Sequence, residues 1–340
     1  MMRIACGCCQ IVSPEALRRL GESLELSGSD RQTLTRTINL TAELRAVRKA
    51  LVSSSLVRGE AVAPQSQVAA TPHIQVFDCR HFTSLPGRLI DDSQDEASDT
   101  VRKTTAKLVE FYGTVLGRNG IEGLGADISS SVRYGRRYQN AFWNGQQMVY
   151  GDGDGEIFVD FWRSPDVIGH ELSHGVTQSE SGLIYEGQPG ALNESFSDVV
   201  GACFNQWLNN WDVTELEGWL IGAGIMGPRA IGAGKTVLRD MADPGGAHCL
   251  SPQPAHYDDY EADGDVHANS GIPNKAFHAF ATAIGKEAWG PALKTWYDAA
   301  IDDRLPPDAP FKTFAAMTLE KAKALGVGAE AKAAWESVGL

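Results

Sequence analysis

Residues 168–178 read IGHELSHGVTQ, with His170 and His174 four apart and Glu171 directly after the first histidine. In a helix, positions i and i+4 lie about one turn apart on the same face, so the two imidazoles can aim at one zinc ion. Glu171 is offset by about 100° around the axis, which lets it reach a water on the metal rather than share the metal. That division of labour is the physical content of H-E-x-x-H. With eight histidines in the chain, chance produces the motif in roughly one sequence in a hundred, so the surroundings must decide.

A catalytic zinc takes a third protein ligand and keeps one position open. The longer zincin pattern would place Gly at 177 and His at 180, but Thr177 and Glu180 stand there. Among Glu180, Glu186, Glu194 and Asp198, only Glu194 and Asp198 form an i, i+4 pair in a convincing helix, ALNESFSDVVGACF. One of them can bind the metal while the other accepts the free N–H of a ligand histidine, which fixes the ring and raises its basicity. The competing reading is an acidic helix face, yet a solvated face leaves the flanking apolar residues unexplained.

The elements that must position these residues follow from pattern. Leu40, Leu44, Val47 and Leu51 predict an amphipathic helix over 39–55. Residues 57–75 lack an apolar period and read as a linker, with a boundary near 72. A helix is expected over 100–116, stopped by Gly117. SSVRYG, NAFW, QMVYG and EIFVDF are short β-prone runs between turns. Helices are expected again through the HELSH segment, around Phe277, Phe280, Ala281 and Ile284, and over 286–303, 311–325 and 329–338. A β-rich region followed by a helical one is an α+β pattern.

Composition narrows the function classes. The formal charge is −13, but residues 1–70 carry +3, leaving −16 for the rest. An acidic body excludes nucleic acid as the expected partner, because phosphates need cationic surface. The opposite signs suggest that the front segment docks on the body. No apolar run approaches the roughly 18 residues of a membrane span. The opening MMRIACGCCQIVSPEALRRL has no apolar signal core, so the expected localisation is cytoplasmic as synthesised, with secretion by a route that needs no such signal left open. Cys6, Cys8, Cys9, Cys79, Cys203 and Cys249 have no paired spacing, so a disulfide framework is not expected. The CGCC cluster reads as a redox-sensitive terminus, with a thiolate on the zinc as a weaker variant.

At this point a family resemblance becomes specific. HELSHGVTQSESGLIYEGQPGALNESFSD, NAFWNGQQMVYGDGDG, LRDMADP and VHANSGIPNKAF resemble, in consistent order over residues 77–340, the thermolysin family of zinc metallopeptidases. FDCRHFTSLPG, GWLIGAGI and the short front segment resemble the protealysin-like branch, made as a precursor with a short propeptide. The resemblance implies a two-lobed zincin: propeptide and linker over 1–72, a β-rich lobe over 73–180 ending in the HELSH helix, and a helical lobe over 181–340. It implies zinc on His170, His174 and Glu194, with Glu171 as general base and proton shuttle. Asp198 and Asn193 match the partners of the two histidines. Tyr185 and His267 match the groups that hold the developing oxyanion, and Arg239 the arginine on a substrate carbonyl. Asn140 and Ala141 match the holders of substrate backbone, and Phe158, Val167 and Leu238 the apolar pocket for the residue after the cut bond.

The sequence also departs from that family. DGDGE (152–156) begins like a calcium loop, but its sixth position is Ile157 where Gly is required, so a turn is expected. Asp166 fits a family calcium acid, whereas Asn205, Leu220 and Ala223 stand where carboxylates belong, which makes Ca2+ doubtful. Before His267 the chain reads ADGDVH, so Asp263 or Asp265 must replace the acid that orients this histidine. The expected activity is that of a zinc endopeptidase acting on peptides or proteins, with the propeptide covering the cleft until cut within 57–76. A catalytically silent peptide-binding module and a zinc hydrolase of a non-peptide substrate are the alternatives.

Overall fold

The computed structural model describes residues 9–23, 26–58, 71–91 and 94–340. The N-terminal segment holds a short strand, β1 (Cys9–Gln10), and a helical hairpin of α1 (Pro14–Ser23) and α2 (Gly28–Arg58). A sheet-bearing lobe follows: β2 (Ile74–Asp78), β3 (Arg88–Leu89), α3 (Glu96–Leu116), β4 (Ile128–Val132), β5 (Ala141–Trp143) and β6 (Met148–Tyr150). Two long helices, α4 (Pro165–Ser179) and α5 (Gly187–Asn209), carry the zinc motif and its acidic partner segment. Short elements come next: β7 (Leu220–Ile221), α6 (Pro228–Gly232), β8 (Arg239–Asp240) and α7 (Val266–Asn269). The chain closes with α8 (Gly271–Ile284), α9 (Pro291–Ala300), α10 (Phe311–Ala324) and α11 (Gly328–Glu336). The architecture is the expected two-lobed α+β fold.

The six strands of the main sheet run in the order β1-β5-β6-β4-β2-β3. β1 lies antiparallel on β5, with Cys9 opposite Trp143 and Gln10 opposite Phe142. An exposed edge is a template for a further strand, and here the N-terminal segment supplies it to β5.

Local signals explain most boundaries. The Ser27 hydroxyl accepts from the Asp30 amide at 3.2 Å and donates to the Asp30 carboxylate at 2.8 Å. This N-cap starts α2 well before the expected residue 39. Leu40 and Leu44 pack against Tyr134, Tyr138 and Phe142, as their spacing predicts; the side chains of Val47 and Leu51 lie outside the described residues. Asp95 caps α3 by accepting from the Ser98 amide at 2.9 Å, and Gly117 ends it at φ 67°.

One expectation fails. EIFVDF forms no strand: Phe158 makes a single bridge to Met226, and residues 161–163 turn into a 3-10 helix. Phe158 and Phe161 both point inward with ring centroids 5.4 Å apart, a spacing of three that suits a turn and not the alternation of a strand.

The core is continuous across both lobes. In the helical lobe Trp296 and Trp335 stack at 5.3 Å, ringed by Phe277, Phe280 and Phe314. The crossing of α4 and α5 is unusually close. A Cβ on Gly201 would meet the Asp166 carbonyl oxygen at 2.6 Å, and one on Gly169 would meet Gly201 Cα at 3.1 Å. Only residues without side chains let the two helices bring their facing polar groups to one point. Among the described residues, no helix is long and apolar enough to cross a membrane.

Candidate active site

His170 and His174 on α4 and Glu194 on α5 are all without solvent exposure. The two histidine Nε2 atoms are 2.9 Å apart. Glu194 brings Oε2 to 3.5 Å from His170 Nε2 and Oε1 to 3.6 Å from His174 Nε2. Metal bonds of about 2.0–2.1 Å in a tetrahedral site separate ligand atoms by roughly 3.3–3.4 Å, so these spacings suit one small cation.

The remaining ring nitrogens decide the tautomers. His170 Nδ1 lies 2.9 Å from Asp198 Oδ1, and His174 Nδ1 lies 2.9 Å from Asn193 Oδ1 and 3.1 Å from the Ser197 hydroxyl. A proton held on each Nδ1 leaves two Nε2 lone pairs facing each other, beside a Glu194 Oε2 that has no hydrogen-bond partner. Lone pairs aimed at one another in a sealed site are repulsive unless a cation stands between them. Among the described residues this is the one group of three His, Cys, Asp or Glu close enough to hold an ion.

Spacing alone left the roles of Glu194 and Asp198 open; the geometry separates them. Asp198 turns away from the histidine Nε2 atoms and accepts from Arg239 Nε and Nη2 at 2.8 and 2.7 Å and from Asn274 Nδ2 at 2.9 Å. Burial raises its pKa, but Arg239 and His170 outweigh burial and hold the carboxylate well below the usual range. Burial presses the His174 pKa down to about 3. Glu171 is also sealed; burial and then the Glu194 charge push its pKa well above the ordinary value. Its carboxylate makes no hydrogen bond, and the backbone amides of Trp143 and Ile11 face it.

Across the cleft, Tyr185 donates to Glu194 Oε1, and its hydroxyl is 3.4 Å from His267 Nε2. Burial pushes the tyrosine pKa well up. His267 Nδ1 sits 2.5 Å from Asp265 Oδ1, so Asp265 and not Asp263 is the orienting acid. Burial disfavours charge on His267, yet Glu194 and Asp265 together raise its pKa.

The cleft is filled by the chain's own N-terminal segment. Ile11 donates its amide to Ala141 O at 3.2 Å and accepts from Arg239 Nη1 at 2.8 Å on its carbonyl. Val12 donates to Asn140 Oδ1 at 3.0 Å and accepts from Asn140 Nδ2 at 2.8 Å. Gln10 O lies 2.5 Å from His267 Nε2. Phe158, Val167 and Leu238 belong to the same buried apolar cluster as Ile11 and Val12. The hairpin behind the strand adds Thr37, which accepts from the Gln139 amide at 3.2 Å, and Arg45, whose guanidinium lies 5.8 Å from the centre of the Tyr185 ring. Asp30 pairs with Arg137 at 3.0 Å and with Arg229 at 2.9 Å.

The cysteine expectation needs adjustment. Cys9 is buried and disulfide-bonded, so it is not a thiolate ligand, whereas Cys79, Cys203 and Cys249 are free; Cys6 and Cys8 lie outside the described residues. Asp166 spends one oxygen on the Ser164 hydroxyl and the other on the Gly222 amide at 2.6 Å. The 152–156 segment is a turn, in which Asp154 accepts from the amides of Glu156 and Ile157 at 2.9 and 2.7 Å. Ser197 and Asn274 were not picked out, although both lie inside quoted motifs: Ser197 falls one residue before Asp198, and Asn274 three after Gly271.

Comparison with known proteins bears on the same residues. The model described as "Thermolysin metallopeptidase, catalytic domain" matches residues 63–178, and "Thermolysin metallopeptidase, alpha-helical domain" matches 181–340. An extracellular metalloprotease of Pectobacterium carotovorum subsp. carotovorum is 40% identical over 282 residues, 78% of this chain and 80% of that protein. Protease PrtS of Photorhabdus sp. (strain Az29) is 37% identical over 333 residues, 92% of this chain and 88% of its own. Among solved structures, the precursor of protealysin, a metalloproteinase from Serratia proteamaculans, superposes with TM-score 0.83 at 37% identity, covering 97% of this chain and 99% of that one.

Proposed function

The chain belongs to the thermolysin family of metallopeptidases and is a zinc-dependent neutral endopeptidase made as a precursor, and from that premise we propose how its residues divide the work. His170, His174 and Glu194 hold the zinc. The observation that carries this assignment is the pair of Nε2 lone pairs 2.9 Å apart, with both Nδ1 atoms already engaged. When bound there, zinc would supply a water whose pKa is lowered to about 7.

Glu171 takes a proton from the attacking water and delivers it to the leaving nitrogen. A carboxylate that is buried beside Glu194 binds a proton more readily than a solvated one, which suits a group that must accept and then release it. Tyr185 and His267 donate where negative charge develops on the carbonyl oxygen, and loss of one such donor typically costs about 2.7–4 kcal/mol of barrier. Asp265 keeps His267 turned toward that oxygen. Arg239 binds the carbonyl of the residue after the cut, and Asn140 with Ala141 holds the extended backbone. Phe158, Val167 and Leu238 favour an aliphatic or aromatic side chain after the cut. A peptide library cleaved preferentially before charged residues would contradict that preference.

In the precursor, residues 9–12 occupy these backbone-binding groups themselves, which supports a latent state relieved by cutting the linker within 57–76. A silent peptide-binding module has no use for Glu171, a buried base without a partner. The decisive experiment combines metal analysis with peptide cleavage, with and without a chelator, on protein freed of its first 72 residues by an added protease. Zinc bound at one per chain and chelator-sensitive cleavage are expected; a metal-free chain that still cuts peptides would refute the assignment.

A further inference from the structure

The N-terminal strand does more than obstruct the cleft. Its polarity is that of a substrate: antiparallel to β5, with each backbone group on a partner that suits a peptide about to be cut. The carbonyl oxygen of Gln10 is on His267 Nε2 at 2.5 Å. The next nitrogen, of Ile11, donates to Ala141 O at 3.2 Å. The Ile11 carbonyl is on Arg239 and both backbone groups of Val12 are on Asn140. One peptide bond, Gln10–Ile11, therefore has its oxygen at the oxyanion donor and its nitrogen on the edge strand that holds substrate backbone.

We infer that Gln10–Ile11 is a bond the precursor hydrolyses in its own chain. This rests on the peptidase reading of the same cleft. One water is consumed: its oxygen bonds to the Gln10 carbonyl carbon, the C–N bond to Ile11 breaks, and Glu171 carries a proton to the departing nitrogen. Near neutral pH the products are a Gln10 carboxylate and an Ile11 ammonium that holds both protons of the water.

Among the described residues, the upstream side of the cut is held by the pairing of Cys9 and Gln10 with β5. The Gln10 side-chain amide is buried with neither Nε2 nor Oε1 paired, so the upstream piece carries an unsatisfied polar group. The three body cysteines are free, so no disulfide ties Cys9 to the body. Downstream, Val12, Thr37 and Asp30 stay bonded to Asn140, Gln139 and two arginines. The piece from Ile11 through the hairpin stays on these contacts and keeps the cleft shut. Trimming at residue 10 thus precedes, and is separate from, the linker cut that activates.

The test uses the full-length zinc-loaded precursor followed by intact-mass spectrometry. A species beginning at Ile11 is expected, with the linker still uncut. Its rate constant should be unchanged on hundredfold dilution, since the bond lies in its own cleft. Glu171→Gln should slow it by about 100-fold or more. Ile11→Pro, which removes the amide that Ala141 accepts, should abolish it while zinc content stays at wild-type level. A readout independent of turnover is hydrogen exchange on metal-free Glu171→Gln precursor: the Ile11 and Val12 amides should be protected, and Asn140→Ala should expose Val12. A bond that stays intact until the linker is cut, a rate proportional to concentration, or an unprotected Ile11 amide would overturn the inference. If protein freed of residues 1–72 still cuts peptides while Gln10–Ile11 survives, only this inference fails; if it cuts nothing, the peptidase reading fails with it.

Discussion

The zinc-binding centre and the segment that covers it are built on opposite principles. In the centre every orienting group is held more than once. Asp198 alone receives Arg239 twice, Asn274 and His170, all of them buried. The cover borrows its hold: Ile11 and Val12 are tied by Asn140, Ala141 and Arg239, the groups proposed to bind substrate. Its own ion pair, Asp30 with Arg137 and Arg229, has arginines that are 42% and 35% exposed. A centre so fixed survives removal of its lid, and a lid so held can be removed.

The largest effect should come from the one group in the centre that has no hydrogen-bond partner. Glu171→Gln keeps the shape and loses the base. Peptide cleavage by the mature enzyme should fall by about 10²–10⁴-fold, while zinc measured by elemental analysis remains. Equal loss of zinc would mean that Glu171 is structural and that the contrast with its neighbours is false.

The next effect separates the two histidines. His170 leans on a single acceptor, Asp198, whereas His174 has Asn193 and Ser197. Asp198→Asn should weaken zinc binding by about 10–100-fold in competition with a chelator. Asn193→Ala should weaken it less, because the Ser197 hydroxyl remains 3.1 Å from Nδ1. Equal losses would show that the second acceptor contributes nothing.

These contrasts mark how far the sequence could be read. Spacing found the two histidines and the acidic pair, because helical periodicity fixes which residues share a face. It did not assign Glu194 and Asp198, since that depends on how α4 and α5 cross, and the crossing depends on Gly169 and Gly201. Ser197 and Asn274 were hidden for the same reason: their roles are tertiary, and neither residue type advertises a metal site. The docking of the front segment was legible in the net charges, yet the ion pair described runs the other way, with an acid on the cover and arginines on the body. Net charge predicts long-range attraction and not which side chains meet. The strand at 9–10 is too short to leave a period and forms only because β5 offers an edge.

The helix crossing gives a prediction of intermediate size. Gly201→Ala places a methyl 2.6 Å from the Asp166 carbonyl oxygen, where backbone cannot yield cheaply. Stability against denaturant should drop by about 1–3 kcal/mol, with zinc affinity falling as the ligand helices part. An unchanged midpoint would mean that the crossing can relax and that the centre is less constrained than its hydrogen bonds suggest.

The smallest effect belongs to the cover. The Ser27 hydroxyl, then Arg137 and Arg229 against opposing burial, lower the Asp30 pKa from 3.8 to about 2. A group depressed on docking contributes its full stabilisation above its ordinary pKa and loses it as pH falls through the docked value. The Ser27 contact lies within the cover itself, so only the part of the shift due to Arg137 and Arg229 is linked to docking; that part supports the closed cover equally from pH 8 down to about 4 and is lost as pH falls from about 4 toward 2. Exposed partners limit the size, so Asp30→Asn should raise the opening equilibrium at neutral pH by no more than about fivefold, equivalent to roughly 0.2–1 kcal/mol. Hydrogen-exchange protection factors across α1 and α2, corrected for intrinsic rates, measure this. Wild type should lose protection between pH 4 and pH 3 relative to pH 6, and Asp30→Asn should start lower and lose less. Identical protection in the two proteins at pH 6 would show that the borrowed backbone contacts hold the cover unaided, and that its ion pair is incidental to latency.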